Sequence, residues 1–281
     1  MNARVPLVVS FLSAVLVFAG FSCVPGCKGS KTPSSVATAP KEKAQELLGA
    51  AERKMYRADG MARFWLPILG SAEGGREDLP AGPAESDAMF REAIQMLEEA
   101  LELDPEMHRA RFYLAVSHFM VRELEEAEAW AKSFLRAKPN DGEGLHLLTV
   151  IYSAGRQWRD LANLCEVAVP ALEATEAQAD VVYNTSYFMS TAAIAYFRLG
   201  EMEAARKWAE RSIASDTAIG IEDPDGYCIL GAIQHATGDA EGLAKTRAIL
   251  RGIDPKEEQR LDTIIESLDE KGLDALRPQT P

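Results

Sequence analysis

No run of basic residues occurs in this sequence. Lys and Arg number 30 against 43 Asp and Glu, a formal net charge of −13 over 281 residues. Phosphate recognition needs clustered cations that displace counterions, so nucleic acid is not expected as a partner. Cysteine is scarce as well: Cys23, Cys27, Cys165 and Cys228 form neither a disulfide framework nor a paired Cys-x-x-Cys metal pattern. Cys165 and Cys228 fall in apolar helical sequence, where a free thiol behaves as a small buried hydrophobe. The four histidines, His108, His118, His146 and His235, are dispersed, with no second ligand at helical spacing to gather a metal. Also missing are a Gly-x-Ser-x-Gly elbow, a P-loop and a Gly-x-Gly-x-x-Gly turn. The acidic pairs Glu98-Glu99 and Glu125-Glu126 read as solvated charge on polar helix faces. Asn184-Thr185-Ser186 is a formal glycosylation sequon inside helical sequence and carries no weight. Neither catalysis nor a metal or other cofactor is expected.

What the chain does have is an ordinary globular apolar fraction, 47%. That suffices for one large domain or a repeat array with a continuous core. One long apolar run, residues 5–21, follows Arg4 and is interrupted only by uncharged Pro6, Ser10, Ser13 and Gly20. Its length fits an export signal better than a comfortable membrane span. Gly20-Phe-Ser-Cys23 and Val24-Pro-Gly-Cys27 follow, each placing a small residue before a cysteine. Both resemble the lipobox of bacterial lipoproteins, where the cysteine becomes the lipid-carrying first residue. That resemblance implies a signal peptide over residues 1–22 and a lipid anchor at Cys23, with Cys27 the alternative. It also implies an exported protein held on a membrane, facing the periplasm or the cell surface. Gly20 stands where a large aliphatic is usual and Pro25 interrupts the second match, so plain secretion and an uncleaved anchor stay open. Residues 23–40, rich in Ser, Thr, Pro and small side chains, read as a flexible tether.

The remainder is organised around Glu92-Ala-Ile-Gln-Met-Leu-Glu-Glu-Ala-Leu-Glu-Leu-Asp104-Pro105. Ile94, Leu97, Leu101 and Leu103 recur near helical spacing, Ala93 and Ala100 offer small contact points, and Pro105 closes the segment. The pattern returns at residues 127–139, 205–217 and 243–255. A period of about 34 residues resembles the tetratricopeptide repeat, in which each unit is an antiparallel helix pair. Leu48-Gly49, Leu114-Ala115, Leu148-Thr149, Ala192-Ala193 and Leu230-Gly231 fill the Leu-Gly slot of successive first helices.

The resemblance implies an all-α solenoid over residues 41–271, with about five repeats. The first is split by an insertion near residues 59–86, or else a degenerate extra repeat is cut short at Pro67. Residues 174–199 read as one lengthened helix, and turns are expected at Gly155, Gly200-Glu201 and Gly238-Asp239. Residues 256–271 read as a helix covering the end of the stack, and 272–281 as a disordered tail.

In such arrays the first helix of each pair lines a concave face that binds a protein or peptide. By register this face is expected to hold Arg109, Phe112, Val116, Phe119, Met120, His146, Val150, Tyr187, Ile194, Phe197, Arg198 and His235. Packing between repeats is an equal reading for Phe112 and Phe197. The helices over 108–121, 142–154 and 186–199 contain no Lys and no Asn, so the carboxylate clamp of some tetratricopeptide cochaperones is not expected. An apolar groove suits an amphipathic helix or an extended peptide with hydrophobic anchors. Phe64-Trp65-Leu66, within the insertion, is too apolar to float free; capping the first helices is the preferred reading, partner contact the other. The chain is thus similar to envelope lipoproteins of this repeat class: a scaffold or adaptor. A binding component for an extracellular polymer or oligosaccharide is the alternative, with Trp65, Trp130, Trp158 and Trp208 as stacking faces.

Overall fold

The computed structural model describes residues 38–62, 84–176 and 185–271. The chain divides into two units, Met1–Ala37 and Thr38–Pro281, and all described residues belong to the second. They form eleven helices and, among the described residues, no strand: α1 Thr38–Ala62, α2 Ala84–Leu103, α3 His108–Met120, α4 Leu124–Ala137, α5 Gly142–Ala154, α6 Trp158–Glu176, α7 Thr185–Arg198, α8 Met202–Ala218, α9 Pro224–Thr237, α10 Ala240–Ile253 and α11 Pro255–Lys271. None of the described helices is long and apolar enough to cross a membrane.

Each helix from α1 to α10 packs on its successor. First helices also touch their counterparts in neighbouring pairs: α1 meets α3, α3 meets α5, and α7 meets α9. This is an all-α helix-pair solenoid of five pairs, closed by α11 against α9 and α10.

The periodicity of α2 shows why the pairs form. Phe90, Ala93, Ile94, Leu97 and Ala100 are buried in steps of three and four, whereas Arg91, Glu92, Glu98 and Glu99 stay exposed. Alanine at the contact lets the helices approach closely, and each fully buried leucine such as Leu97 contributes about 1.5–3 kcal/mol. The same core continues without a break through Leu114, Ile151, Leu161, Cys165, Phe188, Ala205 and Ile233. On α11, Leu261, Ile265 and Leu268 turn inward while Gln259, Thr263, Glu266 and Glu270 are exposed. The stack therefore ends on a polar surface.

The turn inside each of four pairs requires one residue with left-handed backbone: Arg122 (φ 65°), Arg156 (φ 54°), Gly200 (φ 77°) and Gly238 (φ 75°). At α5–α6 the reversal falls on Arg156 rather than on Gly155, which keeps φ −80°. Beside each turn, the residue just before the second helix is held by the second helix of the preceding pair. Arg91 pairs with Glu123 at 2.7 Å, Gln157 donates to Glu128 at 3.0 Å, Arg159 pairs with Glu201, and Arg206 with Asp239 at 3.3 Å. Such solvent-facing contacts contribute at most about 1 kcal/mol each. Their role is register.

Several boundaries differ from the sequence reading. Residues 38–40, expected in the tether, open α1, and Pro40 is tolerated there because first-turn N–H groups have no intrahelical partner. Residues 59–62 and 84–86, expected in the insertion, are helical. Residues 174–176 belong to α6, not to a lengthened first helix. Helix α6 carries on past Pro170 because Cys165, Ala168, Val169 and Leu172 keep burying its inner face, while Pro170 itself is exposed. Water can then reach the carbonyl that proline leaves without a donor.

Candidate functional site

Helices α3, α5 and α7 bring their first turns together into one connected strip. Arg109 Nη1 pairs with Glu143 Oε2 at 2.7 Å, joining α3 to α5. Its guanidinium lies 4.9 Å from the Phe112 ring centre and 4.8 Å from that of Tyr113. Burial works against the charge on Arg109, but hydrogen bonds to Glu143 and Tyr113 outweigh it and hold the group protonated. Tyr113 Oη donates to Glu52 Oε1 of α1 at 2.5 Å. Burial first, then that bond to Glu52, pushes the phenol up to about 12, with Arg109 opposing.

One turn beyond Glu143, the His146 ring packs 4.8 Å from Tyr187 of α7. Burial lowers the His146 pKa below the ordinary imidazole value, so the ring is neutral at pH 7. Thr149 Oγ1 and Tyr187 Oη lie 3.1 Å apart, and Thr149 Oγ1 also donates to the His146 carbonyl at 2.7 Å. The strip thus runs Glu52, Tyr113, Arg109, Glu143, His146, Tyr187. Arg109 and Glu143 neutralise each other and Glu52 leaves one negative charge at the α1 end, while the open surface is largely aromatic.

Of the residues expected on this face, Arg109, Phe112, Met120, His146, Tyr187, Ile194, Arg198 and His235 are half-buried, leaving part of each accessible. Phe112 also leans on Phe134 of α4, with ring centres 5.4 Å apart, so it joins packing and open surface. Val116 (8% exposed), Phe119 (3%), Val150 (5%) and Phe197 (7%) are buried instead. A first helix touches its own partner, the preceding second helix and the next first helix, so residues that register alone assigns to the open side are covered. Arg198 lies 5.7 Å from the Trp158 ring, and His235 Nε2 meets Asp269 Oδ1 of α11 at 2.7 Å. These two therefore sit apart from the aromatic strip. Cys23, Cys27, Phe64, Trp65 and Leu66 lie outside the described residues.

Sequence reasoning missed Tyr113, Thr149 and Glu52. The Glu52–Tyr113 pair spans 61 residues, and no local spacing rule reaches that far. Cys165 and Cys228 are buried free thiols whose pKa burial raises. His118 is buried, with Nδ1 2.8 Å from Glu123 Oε2. Trp130 and Trp208 lie on the second helices α4 and α8, and Trp158 is buried at the start of α6. None of these three tryptophans lies on a first helix. Among the described residues, no group of His, Cys, Asp and Glu could hold a metal ion.

Comparison with known proteins finds similarity over part of this chain. The tetratricopeptide repeat pattern matches residues 89–142, which include most of α2, all of α3 and α4 and the turn into α5. Tetratricopeptide repeat protein 7B of Mus musculus is 30% identical over 83 residues, covering 30% of this chain and 10% of that protein. The human protein 7A is 26% identical over 86 residues, covering 31% and 10%. The match thus spans about a tenth of these relatives' length. Among solved structures, YrrB, a tetratricopeptide protein with an unusual peptide-binding site, is similar over 74% of this chain and 97% of its own. Its identity is 14% and the TM-score 0.45. PilW, a type IV pilus biogenesis factor, is similar over 62% and 91%, with 16% identity and a TM-score of 0.33. Residues 89–142 carry tetratricopeptide repeat sequence, set within a stack of helix pairs that continues the same layout on both sides.

Proposed function

We propose that the chain is a non-catalytic scaffold of the bacterial cell envelope that holds a segment of a partner protein across the first helices α3, α5 and α7. One observation carries this reading: the linked first turns of these helices leave Phe112, His146 and Tyr187 partly open around a self-neutralised Arg109–Glu143 pair. Ile194, two turns along α7 from Tyr187, extends the partly open apolar surface. Aromatic surface with few net charges suits apolar anchors of an amphipathic helix or extended peptide. Export and lipid attachment at Cys23, or at Cys27, belong to the same proposal and rest on the N-terminal sequence. The polymer-binding alternative draws no support from the described tryptophans, which lie on second helices or in the core.

The test is in-cell crosslinking and affinity capture of the full-length protein beside an Ile194→Glu/Met120→Glu variant of unchanged helicity. These side chains are half-buried, so the variant alters the face with less damage to the core than a change at Phe197. Loss of one specific envelope protein from the variant supports the scaffold reading. Unchanged capture overturns the assignment to this face.

A further inference from the structure

The turn from α8 to α9 buries a carboxyl and leaves half of it unheld. Asp216, in the last turn of α8, is 3% exposed. Ser186 of α7 hydrogen-bonds the carboxyl, yet Oδ1 finds no hydrogen-bond partner among the described residues. At the start of α9 two further carboxylates act on this junction: Asp225, whose charge opposes ionisation of Asp216, and Asp223, just before the helix, on which the charges of both act. From α11 comes the cation Arg260. It is already held by Asp225 at 2.7 Å and by Glu257 at 3.3 Å. From α7 comes the Ser186 hydroxyl.

Asp216 also carries the backbone of the turn. Its carbonyl accepts from the amides of Ile219 at 3.1 Å and Ile221 at 2.9 Å, and Gly220 N–H donates to the Thr217 carbonyl at 3.1 Å. Side chains add little hold, because residues 217–222 are all exposed, Ile219 at 60% and Ile221 at 46%. Three amide bonds therefore close the turn, two of them ending on the residue whose carboxyl is poorly solvated.

We propose that the α8–α9 turn is a proton-sensitive joint, firmer while Asp216 is protonated and looser when its carboxylate must be hydrated. A neutral carboxyl tolerates a buried oxygen without a donor far better than an anion does. Burial first, and then the charge of Asp225, raises the Asp216 pKa, with Ser186 opposing. In the open turn the group returns to the ordinary aspartate value of about 3.9. The closed form thus binds the proton more tightly. Its stability is greatest below the ordinary value, falls as pH rises through the interval up to the raised value, and levels off above it. The joint lies between the fourth helix pair and the fifth, so the proton adjusts how firmly the turn joins α8 to α9, beside the core contacts that pack them together.

The test is backbone amide exchange of the isotope-labelled full-length chain by NMR, corrected for intrinsic exchange, from mildly acidic to neutral pH. In the wild type, protection at Ile219, Gly220 and Ile221 should fall by up to about tenfold per pH unit within that interval. In Asp216→Asn it should stay high and independent of pH. Ser186→Ala removes the bond that favours the anion, so the fall should move to higher pH. The amides of Gly200 and Glu201, in the α7–α8 turn, serve as a reference that should not follow. Wild-type protection independent of pH overturns the proposal, and so does a pH dependence that survives Asp216→Asn. If Asp216→Asn fails to fold, Ser186→Ala decides alone: an unmoved transition overturns the proposal.

Discussion

Gly231→Ala adds one methyl to α9 where the closing helix comes nearest. A Cβ at Gly231 would stand 2.6 Å from Leu261 Cδ2 and 2.9 Å from Cδ1. Leu261 is 0% exposed and packs with Cys228, Leu250 and Ile265, so it has no open volume to swing into. Overpacking of a tight core costs about 1–3 kcal/mol, while alanine in a helix interior recovers about 1 kcal/mol relative to glycine. The net expectation is a loss of roughly 0–2 kcal/mol, placed at the α9–α11 contact. Gly49→Ala supplies the control. There the new methyl would meet only Arg53 Nη1, the mobile end of a long side chain, at 3.4 Å. The helix gain of about 1 kcal/mol is then unopposed. Urea unfolding followed by circular dichroism should show a higher midpoint for Gly49→Ala and none for Gly231→Ala. Amide exchange should quicken along α11 in the latter alone. Equal stabilisation by both substitutions would refute the close α9–α11 approach.

Two further outcomes follow from individual contacts. Asp141→Ala removes the side chain that accepts from Gly144 N–H at 3.1 Å and caps α5, and urea unfolding should register a loss of about 1 kcal/mol. The Tyr113 phenol, pushed up to about 12, should ionise well after an ordinary tyrosine in an ultraviolet titration. The folded state keeps that proton more tightly, so stability should fall as pH rises from about 10 towards about 12. Tyr113→Phe should remove that part of the alkaline loss, which pH-dependent unfolding would detect.

The helix pairs were legible because their signals are local. Pro105, Pro139 and Pro255 punctuate the chain after second helices, and Ala93, Ala127 and Ala205 mark the close contacts between paired helices. The candidate face was legible only as a set of helix positions. Register places Val116, Phe119, Val150 and Phe197 on the first helices, but whether a side chain meets water or a neighbouring helix depends on packing from three sides. The strip from Glu52 through Tyr113 to Glu143 was hidden for a related reason. Its members are joined by contacts across 61 and 34 residues, and a charged residue carries no local mark of its distant partner. Pro170, a breaker by propensity, sits inside α6 because burial on the opposite side outweighs one missing donor.

The contacts beside the turns make the order of the pairs matter. Three junctions set an arginine against an acid, but at the α5–α6 turn Gln157 faces Glu128, whose cation, Lys132, comes from its own helix. Excising α5 and α6 would bring the acidic side of α4, with Glu125 and the Lys132-paired Glu128, against Glu201 in place of the arginine that now holds it. A duplicated α3–α4 pair would set the same acids against a second Glu123. Gain or loss of whole units by unequal recombination therefore loses up to about 1 kcal/mol of register contact at the seam, even though every unit shares one backbone plan. The solenoid is modular in shape and serial in charge, so the order of its pairs is marked on their surfaces.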